Sequence, residues 1–141
     1  YGSIHGHTAK AAKLMQKMLE DRGQKVEIFD LARDDMAEAI ECAYRYDKLV
    51  IATVTYDAGV FPVVEDFVYH LKLKNYQKRT VGIIQNGTWN PASGKLIQAE
   101  LESMKNITLL EPVVTVKSSL KEDSKAQLDA LKDAIVESLK G

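Results

Sequence analysis

Hydrophobic and polar residues alternate along the chain with two different periods, which predict a series of helices and strands. From Thr8 to Arg22 the apolar residues recur every three or four positions, and Gly23 follows as a helix stop signal. Lys25 to Phe29 alternates polar and apolar residues, which predicts a strand. Leu49 to Val54 is a continuous apolar run, typical of a strand that is buried on both faces.

The rest of the chain continues this alternation. A helix beginning at Pro62 is predicted from an apolar stripe, and the pattern then returns to a strand at Thr80–Ile84. The stripe consists of Val63, Val64, Phe67, Val68 and Leu71. The other predicted elements are helices at Met36–Tyr44, Ser93–Lys105 and Asp123–Leu139, and an edge strand formed by Ile107–Leu110 with Val113–Val116.

Regular alternation of strands and helices predicts an α/β fold. Parallel neighbours need a crossover connection, so the sheet is expected to be mostly parallel, with helices on both faces. The chain opens at Tyr1-Gly2-Ser3, which has the character of a strand-to-helix loop with no strand before it. We therefore expect that a central first strand is missing from the chain as given. Residues 1–141 are expected to be a single domain of a longer polypeptide.

Composition excludes several classes of protein. The chain has 141 residues, of which 45% are hydrophobic, and a formal net charge of −1, values typical of a folded globular domain. Without a basic excess, nucleic-acid binding is not expected. No apolar run approaches the ~20 residues needed to span a bilayer, so we expect no membrane partner. A single cysteine, Cys42, cannot form an internal disulfide and fits a cytoplasmic location.

Candidate chemistry lies in loops, because open α/β sheets bind ligands at the carboxyl ends of their strands. The loop Ser3–Thr8 is rich in hydroxyl groups, has a central glycine and leads into the first helix. Helix N-termini present N–H groups and a favourable dipole to anions, which indicates a phosphate site. The alternative is structural, with Ser3 or Thr8 as an ordinary helix cap and Gly6 as a turn residue.

Two further loops carry aromatic residues and glycine. Thr53–Pro62 contains Tyr56, and Gln85–Pro91 contains the only tryptophan, Trp89. A loop aromatic either packs on its own domain or covers a flat ligand. Together with a phosphate loop, these segments favour a ligand that is phosphorylated, flat and conjugated.

Other ligand-binding motifs are missing from the sequence. The residues after Gly6 are His7-Thr8 rather than the Lys-Ser/Thr of a nucleotide-hydrolase loop, and no Gly-x-Gly-x-x-Gly turn occurs. A phospho-receiver domain needs a carboxylate at the end of the strand predicted at Leu49–Val54, where the chain has Thr53-Val54-Thr55. His5 and His7 have metal-ligand spacing, but no third ligand is found, so no metal site is predicted.

The segments Tyr1–Thr8, Thr55–Pro62 and Asn86–Trp89 resemble those of flavodoxins, and most closely the flavodoxin domain of flavo-diiron proteins (A-type flavoproteins). The resemblance implies a doubly wound, five-stranded parallel sheet of order 2-1-3-4-5 and an FMN cofactor. It assigns the FMN phosphate to Ser3, Ile4, His5, Gly6, His7 and Thr8. It assigns one side of the isoalloxazine to Thr55, Tyr56, Asp57, Ala58 and Gly59, and the other side to Asn86, Gly87, Thr88 and Trp89.

The resemblance also implies a role in electron transfer. Such a domain passes electrons to a diiron centre elsewhere in an O2 or NO reductase, and it contributes no catalytic residue of its own. Expected partners are the diiron domain, rubredoxin or a flavin/NAD(P)H reductase, and a second copy in a homodimer. Two alternatives stay open: a flavodoxin-like NAD(P)H:quinone oxidoreductase, and a flavin-free interaction module with the same fold.

Overall fold

A computed structural model describes residues 1–2, 6–56, 59–86, 93–110, 113–116 and 122–140. Within these ranges the chain forms five helices and five strands. The helices are α1 (His7–Asp21), α2 (Met36–Arg45), α3 (Pro62–Leu73), α4 (Ser93–Glu102) and α5 (Glu122–Lys140). The strands are β1 (Lys48–Tyr56), β2 (Gly59–Val60), β3 (Arg79–Asn86), β4 (Ile107–Leu109) and β5 (Val114–Val116). Every predicted helix is confirmed, with bounds that differ by a few residues.

Local signals in the sequence explain where the helices begin and end. The Asp35 carboxylate accepts a hydrogen bond from the Ala37 N–H (3.0 Å) and caps α2. Pro62 occupies the first turn of α3, where its missing N–H is not needed. Gly23 follows α1 with a φ of 78°, which glycine adopts without steric cost. None of the described helices is long and apolar enough to cross a lipid bilayer.

The sheet is built around β3, which pairs in parallel with three other strands. β1 lies on one side of β3, while β4 and β5 both lie on the other. β4 pairs with the first part of β3, from Arg79 to Val81, and β5 pairs with its last part, from Ile84 to Asn86. The predicted edge strand is thus divided in two. β2 is a short antiparallel return on β1 that the sequence pattern did not predict.

Two hydrophobic clusters cover the two faces of the sheet. On one face, Ile51, Val81 and Ile83 pack against α2, α3 and α4. On the other face, Ala52, Ile84, Val114 and Val116 pack against α1 and α5. Successive side chains of a strand point to opposite faces, so β1 and β3 each contribute to both clusters. This arrangement confirms the predicted α/β fold with helices on both sides of a largely parallel sheet.

The predicted strand from Lys25 to Phe29 is not a strand in the structure, which corrects that expectation. Half-buried and exposed positions still alternate from Gln24 to Ile28, as in a strand. An apolar cavity of about 440 Å³, here called the strand slot, separates this segment from β1. Residues 24–29 and 48–52 form the two edges of this cavity. Its walls are apolar side chains of three helices: Met15 and Leu19 of α1, Ala39 and Ala43 of α2, and Phe67 of α3. Among the described residues, the only backbone bond across this cavity to residues 25–29 is the one that the Phe29 carbonyl accepts from the Tyr1 amine (2.7 Å), so no ladder forms along the segment.

Candidate functional site

The structure brings the ends of the three predicted loops to one edge of the sheet. β1 and β3 run parallel with Val54 beside Asn86, so the second and third loops leave the same edge. The Gly2 N–H donates to the Ala52 carbonyl (3.0 Å), which places the chain entering the first loop beside β1. Eight of the predicted site residues lie outside the described part of the chain: Ser3, Ile4, His5, Asp57, Ala58, Gly87, Thr88 and Trp89.

The first loop ends in a left-handed turn. Gly6 is the N-cap of α1 with a φ of 83°, and its carbonyl accepts a hydrogen bond from the Lys10 N–H (3.0 Å). Among the described residues no side chain caps this end of the helix, and its first turn contains no acidic residue. His7 is the first residue of α1. The turn therefore leaves the positive end of the helix dipole without a carboxylate, which suits an anion.

Thr8 is the most unusual described residue of this edge. Its side chain is 1% exposed, and its hydroxyl has no hydrogen-bond partner among the described residues. A buried hydroxyl without a partner costs about 1–3 kcal/mol, so such groups are rare in folded proteins. The predicted cap role of Thr8 is not observed. Its hydroxyl is free to bond a ligand held at the start of α1.

The described residues on either side of positions 57–58 form two short antiparallel strand segments. Thr55 pairs with Val60 and Tyr56 with Gly59, and α3 begins directly afterwards at Pro62. Three predicted residues, Thr55, Tyr56 and Gly59, therefore occupy these paired segments. The sequence pattern predicted a loop here, whereas Gly59 and Val60 form β2, which runs antiparallel to the end of β1.

The third loop starts at Asn86, the last residue of β3. Asn86 is 5% exposed and lies between Val54 of β1 and Val116 of β5. The Gln85 side chain, which the sequence analysis did not select, connects three elements next to it. Its amide donates to the Thr115 hydroxyl (2.9 Å), and its carbonyl accepts from the Gly94 N–H (2.8 Å). A polar side chain in an otherwise apolar buried strand was the signal that could have identified it.

A second residue missed by the sequence analysis is Gly2. A Cβ atom at this position would lie 2.7 Å from Val64 Cγ2 and 2.8 Å from Phe61 Cδ2. Such distances are too short for carbon atoms, so any larger residue would push the start of α3 away. The absence of a side chain at Gly2 thus lets the start of the first loop lie against Phe61, near the end of the second loop.

Electrostatic and cavity features do not point to another site at this edge. The described residues include no group of three His, Cys, Asp or Glu side chains that could hold a metal ion. His70 lies on α3, where its Nδ1 is 2.8 Å from the Asp66 carbonyl oxygen. The strand slot lies beside β1 and is lined mainly by apolar side chains, so it does not provide the polar groups of a phosphate site.

Comparison with solved structures places the fold among flavodoxin-like domains. Rubredoxin:oxygen oxidoreductase from Desulfovibrio gigas matches 99% of this chain with a TM-score of 0.89 and 20% identity, and the chain spans 35% of its length. The flavodiiron protein from Giardia intestinalis matches 99% of the chain (TM-score 0.82, 15% identity, 35% of its length). Flavodoxin 1 from Bacillus cereus matches 96% of the chain (TM-score 0.82, 13% identity, 93% of its length).

Sequence comparison decides the family. No curated protein sequence matches the chain significantly. The flavodoxin family model matches residues 1–134, which include the described ends of all three loops. With that match and the fold in agreement, the chain belongs to the flavodoxin family.

Proposed function

We propose that this chain is the FMN-binding, electron-transferring domain of a flavo-diiron enzyme, and that it passes electrons to a diiron centre in another part of that enzyme. FMN is the cofactor implied by the flavodoxin family. The flavo-diiron assignment is supported by the match of 99% of this chain to about a third of two much longer proteins of that kind. The segment Thr55–Pro62, which resembles the same proteins, supports it as well.

The unpartnered hydroxyl of Thr8 is the observation that carries FMN binding. It lies in the first turn of α1, next to the left-handed turn at Gly6. A phosphate bound at this helix end would accept hydrogen bonds from the backbone N–H groups and from the Thr8 hydroxyl. The described residues of the first loop therefore fit the phosphate of FMN.

Bound FMN supplies redox chemistry with one or two electrons, and the residues of this chain bind and orient it. Gly6 and Thr8 hold the phosphate side. The antiparallel pair containing Thr55, Tyr56 and Gly59 holds one side of the isoalloxazine, and the loop that starts at Asn86 holds the other. Gln85 stabilises that third loop, because it attaches the beginning of α4 to β3 and β5.

An FMN titration tests the cofactor assignment. We expect saturable quenching of Trp89 fluorescence by FMN, and visible flavin absorption in the purified complex. Riboflavin has the same ring without the phosphate, so it should bind much more weakly. A protein that binds neither flavin would be a flavin-free interaction module, and equal affinity for both flavins would contradict a phosphate site at α1.

The substitution Thr8→Val tests the role of the hydroxyl. Valine keeps the shape and removes the donor, so the FMN dissociation constant should increase by about tenfold to a hundredfold, the range for a hydrogen bond to a charged group. Riboflavin affinity should stay unchanged. Thr108→Val, on the exposed surface of β4, is the matched control and should leave both affinities unchanged. Equal behaviour of the two variants would refute the assignment.

Electron transfer requires a separate test with a redox partner. The proposed partners are the diiron domain, rubredoxin and an NAD(P)H-dependent flavin reductase, and homodimer formation stays a prediction. Reduced rubredoxin, mixed with the oxidised flavoprotein in a stopped-flow instrument, should bleach the flavin absorption. If neither rubredoxin nor the reductase reduces the bound flavin, the electron-transfer assignment is wrong even where FMN binds.

A further inference from the structure

An open groove runs between α3 and α4 on the surface of the molecule. Its volume is about 630 Å³, and all the residues that line it belong to these two helices. Val68 and Ile97 line it while being almost completely buried, so they form its floor. Both floor residues also belong to the hydrophobic cluster beneath the helices. The groove is therefore a fixed feature of two helices that pack on the same core.

Large apolar side chains are exposed on the same two helices. Among the described residues, only Tyr69 (56%), Leu73 (60%) and Leu96 (45%) are large apolar side chains with high exposure. All three lie on α3 or α4, and Tyr69 and Leu96 line the groove. Single exposed apolar residues are normal on a protein surface, whereas their concentration on one surface indicates an interaction site.

Every charged side chain that lines the groove is a carboxylate. Glu65 and Asp66 of α3 and Glu100 of α4 are exposed along its rim. Lys95 is exposed on α4 but does not line the groove. The groove thus combines an apolar floor with an acidic rim.

Nearby cations neutralise only part of this negative charge. The Lys72 ammonium lies 3.4 Å from the Glu100 carboxylate. The His70 Nδ1 lies 3.4 Å from Asp66 Oδ1, and this contact is an ion pair only when the histidine is protonated. Glu65 has no ion pair among the described residues. The rim therefore suits a ligand that brings its own positive charges.

The spacing of the lining residues favours a helix as the occupant. Pro62, Asp66 and Tyr69 follow one another at intervals of four and three residues on α3, and Leu96 and Glu100 are four residues apart on α4. Side chains at this spacing form ridges, and the groove between two such rows accepts a ridge of another helix. From Pro62 to Tyr69 the helix rises by about 10 Å, which is room for about two helical turns.

The most basic helix of this chain does not fit that description. α1 exposes Lys10, Lys13 and Lys17, but Ala11 and Met15 of its apolar stripe are buried in the core. A second copy of the chain would bring lysines to the groove without an apolar stripe. The chemistry of the groove calls for a helix that exposes both.

We propose that the groove between α3 and α4 binds a basic amphipathic helix of a partner protein. Apolar side chains of that helix enter the groove between Tyr69 and Leu96. Its lysine or arginine side chains lay their methylene groups on the apolar lining and place their charges at the rim carboxylates. None of the groove residues is assigned to FMN, so this interaction is independent of the proposed function.

Three synthetic peptides test the occupant. The first has leucine at every third and fourth position and lysine elsewhere, which gives a basic amphipathic helix. The second has glutamate in place of each lysine, and the third alternates leucine with lysine, a pattern that suits a strand. Titrations followed by amide NMR should show saturable binding of the first peptide alone, with shifts centred on Tyr69 and Leu96. No saturable binding, equal binding of either control peptide, or shifts on another surface would overturn the proposal.

A pair of charge-reversal variants tests the acidic rim. Glu65→Lys should weaken binding of the basic helical peptide by about tenfold, because it replaces an attraction by a repulsion at the rim. Glu137→Lys is the matched control, since it changes the net charge equally but lies on α5, which packs on the other face of the sheet. It should change the affinity by less than about twofold. Equal weakening by both variants would reduce the interaction to overall charge and refute the site.

A pair of leucine variants tests the apolar contact. Leu96→Ser should weaken peptide binding by about tenfold, because it removes an apolar contact from the centre of the groove. Leu73→Ser is the control, since Leu73 is even more exposed and lies on α3 outside the groove lining. Substitutions of exposed residues affect stability little, so urea midpoints should stay unchanged in both. Equal peptide affinities for the two variants would contradict the proposal.

Sedimentation of the protein alone distinguishes the remaining occupant. The chain should not self-associate through this groove, so Leu96→Ser should leave its oligomeric state unchanged. Self-association that Leu96→Ser abolishes and Leu73→Ser does not would assign the groove to a second copy and overturn the proposal.

Discussion

Two glycines with left-handed backbone stand at the two ends of α1. Gly6 has a φ of 83° and Gly23 a φ of 78°. Among the described residues, and apart from the chain neighbours of each glycine, no atom lies within 4 Å of the position that a Cβ would occupy. Substitution by alanine would therefore cost backbone strain at both positions without a steric clash. Only Gly6 belongs to the proposed phosphate loop. Comparing the alanine variants of Gly6 and Gly23 therefore separates an effect on protein stability from an effect on FMN affinity.

We predict that Gly6→Ala and Gly23→Ala each lower the free energy of unfolding by about 1 kcal/mol, because both force an L-residue into the left-handed region. Gly6→Ala should in addition weaken FMN binding, whereas Gly23→Ala should not. Urea denaturation and FMN titration of both variants provide the two measurements. A Gly23 variant that loses as much affinity as the Gly6 variant would show that the effect is general destabilisation.

At the level of elements, the joint between β3, α4 and β5 depends on one buried side chain. Gln85 is 9% exposed and bonds to the Gly94 N–H and the Thr115 hydroxyl. A Cβ on Gly94 would lie 2.9 Å from Gln85 Oε1 and 3.1 Å from Val113 Cγ1, so a larger residue here would displace the Gln85 amide group. The third loop is therefore held at both ends by packing that is specific to these residues.

Gln85→Leu should lower the free energy of unfolding by about 1–3 kcal/mol, because it removes the acceptor of the buried Gly94 N–H and the hydrogen bond to the Thr115 hydroxyl. Gln98→Leu is the control: Gln98 is half-buried on α4 and has no side-chain hydrogen bond among the described residues. Chemical denaturation of both variants measures the difference. A Gln85 variant as stable as the control would mean that the hydrogen bonds of Gln85 contribute little to the free energy of unfolding.

Across the whole molecule, Tyr1 and Gly2 join the 24–31 segment to β1, so in a polypeptide made to begin at Tyr1 the protonation of the Tyr1 amine affects global stability. Burial lowers the pKa of the Tyr1 amine from 8.0 to about 6 in the folded protein. Between these two values the unfolded chain binds more protons than the folded one. The free energy of unfolding should therefore rise as the pH increases from 6 to 8, and fall as the pH decreases.

The expected rise over this pH window is about 2–3 kcal/mol, since one pKa unit corresponds to about 1.4 kcal/mol. Urea denaturation at several pH values measures it. The same chain with an acetylated N-terminus is the control, because it has no amine to titrate, and all other groups contribute equally to both proteins. Identical pH profiles for the two proteins would contradict the burial of the amine.

Elements with strong periodicity could be predicted from the sequence, and those that depend on distant neighbours could not. The apolar spacing in α1 and α3 and the continuous apolar run in β1 are local properties, and all three elements were predicted within a few residues. Residues 25–29 have the same local signal as a strand. They form no ladder because a ladder needs a partner across the slot.

The sequence by itself determined the α/β class, the order of the helices, the glycines that flank α1 and the positions of three candidate loops along the chain. These features depend on residues that are close together in the chain, where periodicity and backbone preference act. Only the tertiary structure decided that Thr8 is buried with no hydroxyl partner among the described residues, that Gln85 connects three elements, and that β4 and β5 share one side of β3. Burial and hydrogen-bond satisfaction depend on residues far apart in sequence, so no local pattern encodes them.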